Sequence, residues 1–139
     1  MKAEDLMAKA VQAAESARAL LDRGDADGSC NRAYYAMFDA ARAALLASGA
    51  SVESDISRTH SGLIGAFGNY LVKNGPVPKE VGRLLNRAHE IRLMADYTGD
   101  SVEPVDAMAM VEQAEIFVAT MRATFMPDDS DVIKWGPAP

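Results

Sequence analysis

The side chains best suited to chemistry in this sequence fall in two short segments and one separate histidine. Asn31, Tyr35, Asp39 and Arg42 recur at spacings of three and four, which lines up an amide, a phenol, a carboxylate and a guanidinium along a helix. Arg32 sits one residue round from Asn31. In the second segment Arg92 and Asp96 are four residues apart, and Tyr97 follows. An arginine so placed can hold a phosphate through two parallel hydrogen bonds. On this reading Asn31, Arg32, Tyr35 and Tyr97 line a cleft and Arg92 grips the anion. The same spacings also describe a solvated helix face and a surface ion pair worth under about 1 kcal/mol. Adjacent tyrosines favour the cleft: Tyr34 and Tyr35 point about 100° apart on a helix, so both cannot enter one narrow core stripe.

The standard catalytic signatures are missing. There is no glycine-rich phosphate loop, no Gly-x-Ser-x-Gly and no His-Glu-x-x-His. Two histidines and one cysteine are too few for a zinc site, so no metal or cofactor is expected. His60 stands near a helix start and could supply an imidazole. His89 stands among Lys79, Arg83 and Arg87 on what reads as an exposed side.

These residues need helices to position them, and the pattern supplies five. A first helix is expected from Ala3 to Arg23, with Met7, Ala10, Val11, Ala14, Ala17, Leu20 and Leu21 inward. Gly24 stops it, and Asp25 or Asp27 caps the second. So short a turn makes the two antiparallel neighbours. The second helix buries Cys30, Tyr34, Met37, Ala41, Ala44 and Leu45, and ends near Ser48 before Gly49. Residues 50–58 read as a polar loop. A third helix begins near Thr59-His60-Ser61, although Gly62, Gly65 and Gly68 each cost roughly 1 kcal/mol against Ala there; close packing of a neighbouring backbone would explain them. Asn74-Gly75-Pro76 ends that segment, Pro78 opens the fourth helix, and residues 96–100 read as a turn. A fifth helix runs from Pro104 to Met126. No alternating strand pattern is present, so the expected architecture is all-α, an up-and-down bundle of four to five helices. It occupies residues 1–126, with 127–139 as a tail.

The totals agree with one such domain. The chain has 139 residues, 49% of them apolar, enough for a core. No apolar run is long enough for a membrane helix, and Met1-Lys2-Ala3-Glu4-Asp5 lacks the apolar stretch of a signal peptide. A single cysteine, on an apolar face, suits a reducing, cytoplasmic setting. A net charge of −6 disfavours strong non-specific binding to nucleic acid, but it leaves room for a local basic site. The eight methionines are expected mainly in the core.

Three blocks together resemble small HEPN-domain proteins (higher eukaryotes and prokaryotes nucleotide-binding). They are Asp27-x-Ser29-x-Asn31-Arg32-Ala33-Tyr34-Tyr35-Ala36-Met37-Phe38, Thr59-His60-Ser61-Gly62 followed by Phe67, and Arg92-x-x-Ala95-Asp96-Tyr97. They stand in order across roughly residues 5–125 and match a bacterial and archaeal branch related to toxin–antitoxin HEPN proteins. The resemblance implies a helical bundle that forms a homodimer, often paired with a minimal nucleotidyltransferase, and contacts nucleotide or RNA. Active members are metal-independent ribonucleases whose motif sets a histidine shortly after an arginine, with a polar residue on the earlier helix. Arg92 and Asn31 match two of these positions.

The histidine does not match: Asp96-Tyr97 takes its place. Arg83 and His89 satisfy the spacing by count, but on a continuous helix they point about 240° apart. Attack by a 2′-hydroxyl needs a base and an acid, and arginine cannot shuttle protons at neutral pH. Asp96 or His60 would have to serve beside Arg92. Three readings therefore stand open: a nucleotide- or RNA-binding partner module, a metal-independent ribonuclease toxin, and a structural homodimer that buries the polar stripe.

Overall fold

The structure is a computed structural model, and it describes residues 2–50 and 59–126. Most of the expected 50–58 loop, and the expected tail, lie outside the described residues, as does the side chain of Asp96. Among the described residues five helices follow in order: α1 (Ala3–Asp22), α2 (Ala26–Ser48), α3 (His60–Phe67, continued by a π-helical stretch Gly68–Lys73), α4 (Lys79–Thr98) and α5 (Pro104–Phe125). Among the described residues there is no strand. The expected all-α bundle is what forms.

The central element is α2, which touches all four other helices. Its composition makes this possible. Ala33, Ala36, Ala40, Ala41, Ala43 and Ala44 are completely buried, and their small side chains let neighbouring helices approach closely while favouring the helix itself. Cys30, Tyr34, Met37, Ala41, Ala44 and Leu45 all face inward. The caps follow from the sequence. The Asp25 carboxylate accepts from the Gly28 amide at 2.8 Å, and Gly49 ends the helix in the left-handed region at φ 75°.

The largest packing faces lie between α2 and both α1 and α5. α1 contributes Leu6, Met7, Ala10, Ala13, Ala14 and Ala17; α5 contributes Met110, Val111, Phe117, Val118 and Met121 among others. Arg18 and Glu115 join the outer edges of α1 and α5 in a two-pronged ion pair, with N···O distances of 3.1 and 2.7 Å. Met7, Met37, Met110 and Met121 are core, but Met94 and Met108 are exposed.

The second half departs from expectation in three places. α4 runs through the expected turn to Thr98 and ends at Gly99, φ 73°, so Asp96 and Tyr97 are helical. α3 loosens into a π-helix, which is closed by the Asn74 amide donating to the Asn69 carbonyl five residues back. Gly65 and Gly68 do not serve close packing as expected: a Cβ at either would meet nothing within 4 Å. Close approach occurs instead at Gly82 on α4, where a Cβ would lie 2.7 Å from a methyl of Val72. That contact docks α4 on the π-helical stretch.

Two alanine substitutions should therefore act in opposite directions. Gly65→Ala, in open space, should stabilise the bundle by up to about 1 kcal/mol. Gly82→Ala should destabilise it by about 1–2 kcal/mol, because valine is stiff at χ1 and cannot turn aside. Urea unfolding of both variants measures this, and Val72→Ala should recover much of the loss in the Gly82 variant.

Candidate functional site

Tyr34 sits on the innermost face of α2 and is completely buried. A phenol so placed must find a hydrogen-bond partner for its oxygen. It finds two. The first is His60 Nδ1, at 2.6 Å, from the opening residue of α3; the second is His89 Nδ1, at 3.4 Å, from the middle of α4. The rings stack as well as bond: Tyr34 and His60 are nearly parallel, 6° apart, with centroids at 5.4 Å. Phe38 closes on His60 at 4.8 Å. Three helices thus meet at one oxygen atom.

Arg92 lies three residues after His89 on the same side of α4. Its guanidinium carbon stands 5.1 Å from the centre of the Tyr34 ring and 4.8 Å from that of Tyr35. Two aromatic faces attract the cation and fix the plane of its donors. Arg92 also lines a cleft of about 370 Å³ between α2 and α4, with Asp27, Cys30 and Asn31 on one wall and Ile91 and Ala95 on the other. One acid of the cleft is already engaged, because Asp27 accepts from the Val102 amide at 2.7 Å and ties the α4–α5 connection to the start of α2. An anion entering this space would meet the guanidinium at its tyrosine end.

The local field keeps the neighbouring groups neutral. Burial pushes the Tyr34 phenol up to about 12, with Arg92 pulling it back part of the way. Burial, then the charge of Arg92 and the neighbouring His89, hold His60 below the usual histidine range. Burial, with Asp27 and Asp106, raises the Cys30 thiol to about 11, so it stays protonated and unreactive. Neutral imidazoles joined through a protonated phenol, beside a fixed cation, can exchange protons with a substrate while the cation holds an oxyanion.

The residues singled out from sequence do not all gather here. Asn31, exposed, lines the cleft with Arg92. Tyr35 carries the Arg92 guanidinium on its ring, and His60 is joined to the group through Tyr34. Arg32 does not line the cleft: with Lys9 and Asp39 it borders a separate groove between α1 and α2. Tyr97 is 91% exposed. The backbone of Asp96 is in the last turn of α4.

His89, expected on an exposed side, turns inward instead. It is half-buried and faces Tyr34. The signal was present in the His89–Arg92 spacing, one turn upstream of the arginine rather than downstream. Tyr34 fills the core as expected, and its oxygen joins the two histidines. Among the described residues no cluster of three or more His, Cys, Asp or Glu could hold a metal, and no helix is long and apolar enough to cross a membrane.

A family model described as the HEPN domain matches residues 3–124. A UPF0332 protein of Gloeobacter violaceus is 39% identical over 117 residues, 83% of this chain and 89% of the relative. A UPF0332 protein of Thermotoga maritima is 39% identical over 95 residues, 68% of this chain and 67% of the relative. A protein of Methanocaldococcus jannaschii named as a putative toxin is 36% identical over 87 residues, 63% of this chain and 61% of the relative.

The lowered His60 makes stability depend on pH. The unfolded chain binds a proton at His60 near the ordinary value of about 6.5, before the folded chain does. Stability from this group is full above that value and is lost as pH falls below it towards the folded value. Thermal melts between pH 7.5 and 5.5 should show a falling melting temperature, with the slope reduced in His60→Gln.

Proposed function

Because this chain belongs to the HEPN family, we propose that its α2–α4 cleft binds the phosphate of a nucleotide or RNA. We further propose that the chain serves as the HEPN half of a toxin–antitoxin-type pair with a nucleotidyltransferase partner. The observation that carries the ligand reading is Arg92 held over the rings of Tyr34 and Tyr35 at the edge of an open cleft. A guanidinium braced in this way has less conformational freedom to lose when it grips a phosphate. Asn31 stands on the facing wall with an amide for base or sugar. The pairing is supported by kinship to the archaeal relative named as a putative toxin.

A second reading, a metal-independent ribonuclease, is favoured by one specific observation. The imidazole missing after Arg92 is supplied from elsewhere: His60, held neutral, reaches the same group through Tyr34. His60 would then act on protons while Arg92 stabilises the charge on phosphorus.

Fluorescence anisotropy with a labelled single-stranded RNA tests the first reading. Arg92→Ala should weaken binding by about tenfold or more, the loss of a charge-assisted hydrogen bond to phosphate; equal affinity in the variant would sink the assignment. For the second reading the same RNA is incubated with the protein in chelator. Cleavage that vanishes in Arg92→Ala supports it, and intact RNA with the wild-type chain rules it out while leaving the binding reading in place.

A further inference from the structure

We propose that Tyr34 bridges His60 and His89 into a single proton relay, which holds the two imidazoles in opposite tautomers and offers RNA a coupled base and acid. The chemical use of the relay rests on the ribonuclease reading; its hydrogen bonding does not.

A phenol oxygen carries one proton, yet two Nδ1 atoms converge on this one, at 2.6 and 3.4 Å. Two bare Nδ1 atoms would leave one lone pair facing another lone pair. Two protonated ones would force the phenol proton to seek a third acceptor, and among the described residues these two are its partners. One donor and one acceptor satisfy all three groups. The short contact is the length of a donated O–H bond, so Tyr34 donates to His60 and accepts from His89. His60 then carries its remaining proton on Nε2, and His89 has a bare Nε2. The phenol keeps its proton, being pushed up to about 12, and its complete burial shuts water out of the middle of the chain.

The protons of a transesterification balance along this chain. His89 Nε2 takes the 2′-hydroxyl proton as that oxygen bonds to phosphorus. The Nδ1 proton of His89 passes to Tyr34, the Tyr34 proton passes to His60 Nδ1, and the Nε2 proton of His60 goes to the departing 5′-oxygen as its bond to phosphorus breaks. The products are a 2′,3′-cyclic phosphate and a free 5′-hydroxyl, and both histidines end in the reversed tautomer. Neither imidazole need carry a charge. That matters beside Arg92, whose cation opposes an imidazolium at His60. Tyr34 touches no substrate and is a positioning residue.

Nitrogen-15 spectra of the histidine rings at neutral pH, on the wild-type chain, test the relay directly. The expected result is His60 protonated at Nε2 and His89 at Nδ1. In Tyr34→Phe, His89 should revert to the Nε2–H form that imidazoles favour in water, and cleavage should fall about 100-fold. Both histidines in the Nε2–H form in the wild type would overturn the relay, even if RNA is cut. Opposite tautomers in a chain that cuts no RNA would keep the relay and remove the ribonuclease reading.

Discussion

A hydroxyl buried on the central helix has to be satisfied, and that requirement organises this molecule. Tyr34 is fully enclosed on α2, and an unpaired phenol there would cost about 1–3 kcal/mol. Its partners come from α3 and α4, the two elements that pack on α2 less extensively than α1 and α5 do. The alanine-rich faces hold α1, α2 and α5 together mainly by apolar packing, with the Arg18–Glu115 pair at the outer edge. The outer two helices are held partly by a hydrogen-bonded ring cluster. Structural demand and chemical opportunity therefore coincide at one oxygen atom.

This division has a dynamic side. Elements with few buried apolar contacts open most easily, and α3 with its π-helical continuation buries Leu63, Ala66, Phe67 and Leu71 but few other side chains. The Gly82–Val72 approach and the Tyr34–His60 bond are what seat it. Arg92 rests on the same ring cluster, so the wall of the cleft and the start of α3 meet at Tyr34.

Much of this fold was legible in the residues. Gly24 and Gly49 mark helix ends because each takes a positive φ. Asp25 announces a cap, Pro104 announces a start, and the alanine run of α2 announces a core. The site was legible only in part. The polar line Asn31, Tyr35, Asp39 looked like one face, but eight residues at 3.6 per turn drift about 80° around a helix. Asn31 consequently opens on the α4 side and Asp39, with Arg32, on the α1 side. Tyr34 and His89 were opaque for a different reason. An apolar stripe does not reveal that one of its members ends in a hydroxyl needing partners, and which histidine answers depends on where α4 crosses α2. Local sequence carries the elements, but the contact is set by tertiary packing.

Cys30 makes the cleft observable from within. It is the single cysteine of the chain, it is buried on the cleft wall facing Ile91 and Arg92, and its thiol is pushed up to about 11. In the closed bundle a thiol-reactive dye meets neither an accessible sulfur nor a useful fraction of thiolate. Labelling then requires motions that expose the sulfur, and its rate is a clock for them. The molecule carries a built-in probe for the breathing of its own cleft, and an occupant bridging the two walls would slow that clock.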